Sequence, residues 1–434
     1  MQGNLLPPEL QDRIIDFVQA VAPESLTACA LVSRACRARA QHLIFSSTTV
    51  RNIGGSQTKH RDAFIHILSA NSQLALKISS LTLERYEWVP TVLWESRDLS
   101  WIEPLVNLQT LTLKAAPRHR LSYVSMHTLF PIMRTLPRLE SLVLDGVFVG
   151  SHKQAEASSV PSPPNEVSTT IGLQNLRCTV YIPMAVWPSG MHLTPVDTLF
   201  KALVEHGLVV QGGLKTLDIP HYLPWDRPEP SQEFLAQTGT SRLQRFGAIF
   251  VDKRRDGRPG AHQVRDMLRC IQIYSFLRSL EITYIDEQCY GWYGLALSDI
   301  PHQPSDLIDS LHEHLARAPS PHPALEELAL TIAYPTCRMD VHFRPALALL
   351  ARTLCDPALY PRFRRVRVHL LVRGRMTQGD PWPWEASPED TTERGRGVFS
   401  PFAHGGVEVE VDAELFWIDD PEDEDIPCEV GLWD

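Results

Sequence analysis

Hydrophobic positions in the first fifty residues recur with the period of a helix. Leu10, Ile14, Phe17, Val18 and Val21 follow one another at steps of four, three, one and three, the stripe of one amphipathic helix. Pro7 and Pro8 suit its entry, and Pro23 stops it. A second short helix is predicted from Ser25 through Leu26, Cys29 and Ala30, and Ser33 stands where it can cap a third running to about Leu43. Three short helices bury little surface alone, so exposed leucines are expected here unless the helices pack on the rest of the chain.

Further along, the period changes. A Leu, two polar residues, a Leu, one residue and another apolar residue recur in nine copies, which start at Ile78, Leu108, Leu139, Leu173, Leu214, Leu243, Leu277, Leu325 and Phe363, 29 to 48 residues apart. The alternation that ends each copy, as in Leu111-Thr112-Leu113, is that of a strand with one buried face. Helical stretches lie between copies: Arg61 to Leu74, Val124 to Leu136, Val196 to His206, His262 to Phe276, Ser305 to Ala318 and His342 to Leu354. Strand followed by helix at this spacing predicts an α/β fold that stacks into a solenoid with a curved parallel sheet, because no single repeat can bury its apolar face alone. Leu81, Leu83, Leu111, Leu113, Leu142, Leu144, Leu217, Leu280, Leu328 and Leu330 are the expected buried face. A conventional α/β sheet with long insertions would give the same signals.

Three domains follow from this reading: a helical module over 1–50, repeats over 51–370, and over 371–434 a Pro/Gly-rich segment, a last strand within Val407 to Trp417 and an acidic tail. Ser151 to Thr170, Pro220 to Gly239 and Gly374 to Gly406 read as loops or linkers from their proline, glycine and polar content.

Two parts of the chain resemble known families. Leu6-Pro7-Pro8-Glu9-Leu10, then Ile14-Ile15 and Phe17, then Leu26 and Cys29, then Leu31-Val32-Ser33-Arg34 and Arg37 resemble the F-box motif over about residues 4 to 50. The usual form is Leu-Pro-x-Glu-Leu, an Ile-Leu pair and a Leu-Val-Ser-Lys/Arg-x-Trp-Arg ending. Cys36 stands where a tryptophan is common, and Ala22-Pro23-Glu24 replaces a frequent Asp-Pro. The resemblance implies docking onto the Skp-type adaptor of a cullin-based ubiquitin ligase through Leu6, Pro7, Leu10, Ile14, Leu31 and Val32. The repeats resemble the degenerate leucine-rich repeats that follow F-boxes in many fungal proteins, although the family's asparagine after the strand is mostly missing.

Composition narrows the setting. At 44% hydrophobic and 21% charged the chain is of ordinary globular type, and its 34 prolines, about 8% against a usual roughly 5%, imply short elements. No apolar run is long enough to span a bilayer. Pro7, Pro8, Glu9 and Asp12 sit where a signal peptide would need a positive start and an apolar stretch, an expectation against secretion. The net charge of −10 argues against a nucleic-acid binder driven by phosphate neutralisation. Eight scattered cysteines without a CxxC pair, and no Asn-x-Ser/Thr site, fit reduced thiols in the cytoplasm or nucleus.

Familiar catalytic patterns do not occur. There is no Gly-rich phosphate loop, no Gly-x-Ser-x-Gly elbow and no His-Glu-x-x-His site, so no enzyme activity, cofactor or metal is expected. His312 and His314 would point about 200° apart on a helix and do not converge on one ion. The chain therefore reads as the substrate-recognition subunit of an SCF-type ubiquitin ligase, holding the adaptor by the F-box and a target protein by the repeats. The other reading is a scaffold whose N-terminal helices pack on the repeats and which forms no ligase. Aromatic residues follow several strands, and Trp88, Trp225 and Trp292 are the candidates for target contact. The competing reading is that such rings fill gaps between irregular repeats.

Overall fold

The computed structural model describes residues 6–53, 59–86, 91–94, 99–115, 121–151, 172–179, 192–193, 196–209, 213–221, 242–252, 276–286, 305–317, 324–333, 343–374 and 388–417. The chain divides into two units, Met1–Ile182 with Pro188–Leu214, and Pro183–Trp187 with Lys215–Asp434. The fold is α/β and its dominant element is parallel sheet.

In the first unit three helices come first: α1 (Pro8–Val21), α2 (Leu26–Val32) and α3 (Arg34–Ser46). The strands β1 (Ser47–Ile53), β2 (Ser80–Tyr86), β4 (Thr110–Ala115), β6 (Ser141–Asp145) and β8 (Asn175–Thr179) then lie side by side in chain order, all parallel. Their register stacks like on like. Thr48, Leu81, Leu111, Leu142 and Leu176 form one row and Val50, Leu83, Leu113, Leu144 and Cys178 the next, and from Val50 onward these side chains are buried. On the other face Arg51, Glu84, Lys114 and Asp145 align across four strands. The buried Glu84 carboxylate is held at 3.0 Å by Arg51 and at 3.6 Å by Lys114.

A second sheet was not expected. β3 (Thr91–Trp94), β5 (Leu121–Val124) and β7 (Val147–Ser151) pair in parallel, and β9 (His192–Leu193) adds an antiparallel edge. Their β-branched and aromatic composition favours strand, but four or five residues are too few for a period to register. Helices α4 (Lys59–Ala70), α5 (Ser72–Ala75), α6 (Met126–Thr135) and α7 (Val196–Glu205) complete this unit at positions where helices are predicted.

The second unit holds β10 (Thr216–His221), β11 (Arg245–Asp252), β12 (Ser279–Asp286), β13 (Glu327–Ala333), β14 (Arg365–Gly374) and β15 (Glu408–Trp417), again parallel and in chain order. Leu217, Phe246, Leu280, Leu328 and Val366 make one continuous buried row. Helix α8 (Ser305–Arg317) packs on α9 (Arg344–Leu354), with α10 (Pro388–Val398) against β14 and β15, and α11 (Ser400–His404) against α9 and β15.

Every one of the nine copies begins a strand two residues after its first apolar residue, and the ten leucines expected inside are all buried. Two boundaries differ from expectation. Strand β1 runs across residue 50, because it follows α3 directly at Ser47 and its Val50 completes the buried row. The Pro/Gly-rich stretch from Gly374 to Gly406, read as a linker, carries α10 and α11. There Thr391, Gly395, Val398 and Phe402 repeat at helical steps, but Thr and Gly hide the stripe from a hydropathy reading. The predicted helix His262 to Phe276 lies almost wholly outside the described residues, as do most of Ser151 to Thr170 and Pro220 to Gly239 and all of the acidic tail. Among the described residues no helix is long and apolar enough to cross a membrane.

Candidate protein-docking surface

Helix α1 starts with Pro8 at its first position, where a missing N–H is harmless, and ends at Val21, with Ala22 as its C-cap before Pro23. It carries two apolar faces. Ile15 points inward and joins Leu26, Ala30 and Ala40 in a small core made wholly of α1, α2 and α3, with Val18, Cys29, Cys36, Leu43 and Ile44 packed around it. Leu10, Ile14, Phe17 and Val21, spaced four, three and four apart, form a second stripe that faces out, with Phe17 66% exposed.

Polar contacts fix the three helices to one another. Arg39 on α3 donates to Asp16 on α1 at 2.8 Å, and its second nitrogen lies 2.7 Å from the same carboxylate. The Ser33 hydroxyl accepts from the Cys36 amide at 3.1 Å and caps α3 as predicted. Arg37 Nε donates to the Ala30 carbonyl at 3.2 Å, which ties α3 to the end of α2. Gln11 reaches back to the Leu6 carbonyl at 2.6 Å and fixes the chain entering α1. Cys36 contributes to the small core's rim at the position where the resembled motif carries tryptophan.

All six residues expected to meet an adaptor are exposed: Leu6, Pro7, Leu10 and Ile14 at the start of the module, Leu31 and Val32 at the end of α2. Leu31 and Val32 are 79% and 77% exposed, extreme for adjacent aliphatic residues. Phe17 and Val21 extend the surface and were not singled out for docking from sequence. The doublets Ile14-Ile15 and Phe17-Val18 were the available signal, because neighbouring apolar residues on a helix fall about 100° apart and give it two apolar faces. Exposed apolar groups concentrated on helices that already enclose their own core make this face the candidate docking surface.

Trp88, Trp225 and Trp292 lie outside the described residues. Aromatic residues of the second sheet and of β12 that are described, Trp94, Tyr123, Phe148 and Tyr284, are buried. Trp94 donates to the Ser122 hydroxyl at 2.7 Å, with Arg85 5.6 Å from the centre of its ring. These rings fill the interior.

The outer faces of β13, β14 and β15 are charged. Arg365 donates to Glu408 at 2.9 Å, Arg367 to Glu327, and His369 Nδ1 lies 2.6 Å from Asp412. The hydrogen bond and the charge of Glu408 raise the Arg365 pKa further. Such exposed pairs organise the face more than they stabilise it. Among the described residues no three His, Cys, Asp or Glu side chains converge as a metal site. No family model and no curated protein matches the chain.

Proposed function

We propose that this chain is the substrate-recognition subunit of a cullin-based, SCF-type ubiquitin ligase acting in the cytoplasm or nucleus. Its N-terminal helices serve as an F-box that holds the Skp-type adaptor, and its strand-helix units serve as degenerate leucine-rich repeats that present a target protein. Chemistry then resides in the partners. The observation that carries this reading is that α1, α2 and α3 enclose a core of their own while Leu6, Leu10, Ile14, Phe17, Val21, Leu31 and Val32 stay exposed. The scaffold reading needs those same side chains covered by the repeats, and their exposure weighs against it. Support for the repeat assignment comes from nine strand signals of one pattern that pair in parallel within each unit.

The test is a calorimetric titration of the full chain with purified Skp-type adaptor. Binding is expected for the wild type, and its loss for the Leu6→Ala/Pro7→Ala double variant, since apolar groups at an interface centre carry most of the affinity. Undiminished binding by the double variant would reject the assignment.

A further inference from the structure

The parallel sheet of the second unit ends at β15. All ten residues of β15 pair with β14, from Arg365↔Glu408 to Gly374↔Trp417, and among the described residues no strand pairs with its other side. The Glu408 amide donates to the Arg364 carbonyl at 2.9 Å, so the two-residue alternation of a strand turns the amides and carbonyls of Val409, Val411 and Ala413 toward the outer edge. The apolar rows also end unfinished there. Val366 and Leu370 are buried, whereas Val409 and Ala413, which stand beside them on β15, are only half-buried. An edge of this kind is a template for one more strand.

Charge selects the strand that fits. Glu408, Glu410, Asp412 and Glu414 alternate along the outer face of β15, and all four are exposed. On β14, Arg365 lies 2.9 Å from Glu408 and 3.9 Å from Glu410, and His369 lies 2.6 Å from Asp412 and 3.4 Å from Glu414, while Arg367 is paired with Glu327 of β13. Glu327, Arg365 and Glu408 stand in one row across three strands, so the sign alternates and the next place in the row favours a base. The sequence amplifies this. Residues 408–434 hold 12 acidic residues and no Lys, Arg or His, which leaves 39 of the 51 acids against all 41 Lys and Arg in the rest of the chain. The net charge of −10 therefore comes entirely from this stretch.

We propose that β15 is a docking edge for an extended, lysine- or arginine-rich segment of a partner protein, which adds to the sheet as a further strand and sets its basic side chains beside Glu408, Glu410, Asp412 and Glu414. Main-chain hydrogen bonds to Val409, Val411 and Ala413 hold the segment, and the carboxylates choose it by sign. The same carboxylates turn away other occupants. A second copy paired edge to edge would set acid against acid, and a nucleic acid would bring phosphates onto carboxylates. The inference stands apart from the adaptor reading and is tested without the adaptor.

The probe is an acetylated and amidated peptide of alternating lysine and valine, as long as β15 and labelled with fluorescein, titrated into the full chain by fluorescence anisotropy at low salt. A glutamate-valine peptide of the same length is the control. The lysine peptide should bind and the glutamate peptide should not. Glu410→Gln/Glu414→Gln, which leaves the two closest pairs of this face in place, should bind the lysine peptide about tenfold more weakly, with circular dichroism as the folding control. Hydrogen exchange on the wild type reads the strand directly: the peptide should slow exchange of the Val409, Val411 and Ala413 amides. Absence of binding, equal binding by the double variant, or binding that leaves those three amides unprotected, as mere attraction to the acidic residues beyond β15 would, overturns the proposal. A dimer in sedimentation whose three amides are protected before peptide is added would show a second copy on the edge and overturn it too.

Discussion

Ile14 and Ile15 are neighbours in the chain and occupy opposite environments: Ile15 is 2% exposed in the core of the three-helix module, and Ile14 is 51% exposed on the outer stripe. The same chemical group thus holds the module together at one position and faces solvent at the next. Ile15→Ala is expected to destabilise the module by about 2–4 kcal/mol through loss of packing and a residual cavity. Ile14→Ala should change stability by no more than about 0.5 kcal/mol, as for an exposed site. Urea unfolding followed by circular dichroism separates them, and adaptor titration should reverse the order, with Ile14→Ala weakening binding in a protein that remains folded.

A close approach in the second unit gives a different prediction. A Cβ on Gly395 of α10 would lie 2.8 Å from both Leu370 Cδ1 and Val411 Cγ1, so this helix lies on the sheet only because the residue has no side chain. Gly395→Ala is expected to cost about 1–3 kcal/mol despite the better helix propensity of alanine. Hydrogen exchange should show the loss first as faster exchange of β14 and β15 amides. Unchanged protection there would mean that α10 does not pack as described.

Tyr360 supplies a pH dependence. Its hydroxyl donates to the Leu315 carbonyl at 2.9 Å, and burial raises the phenol pKa above its ordinary 10.0. The unfolded chain ionises this group first, so its contribution is complete below pH 10 and is lost as the pH climbs past that value. The urea midpoint of the wild type should therefore decline as the pH is raised above about 10. Tyr360→Phe should be less stable at pH 7 by about 1 kcal/mol and should fall less over the same alkaline range. An identical alkaline fall in both proteins would remove Tyr360 as its source.

Much of this molecule was legible in one dimension because its interactions are nearly periodic. A parallel repeat places each strand beside the next at the same phase, so one local pattern, such as Leu139 to Leu144, determines both the strand and its buried face without knowledge of its neighbours. The amphipathic helices and the Ser33 cap follow from equally short-range rules. Tertiary structure decided what those rules leave open. The second sheet of β3, β5 and β7 draws on segments too short to show a period, and strands of that length are stabilised by partners about 25 to 30 residues away. Helix α10 exists where composition favoured a linker because Gly395 admits Leu370 and Val411, a contact visible only once β14 and β15 are side by side. Above all, the sequence determined that α1 is amphipathic, but not which of its two apolar faces is covered. Burial depends on which surfaces meet, so only the packing of α2 and α3 on Ile15 left Leu10, Ile14, Phe17 and Val21 outside.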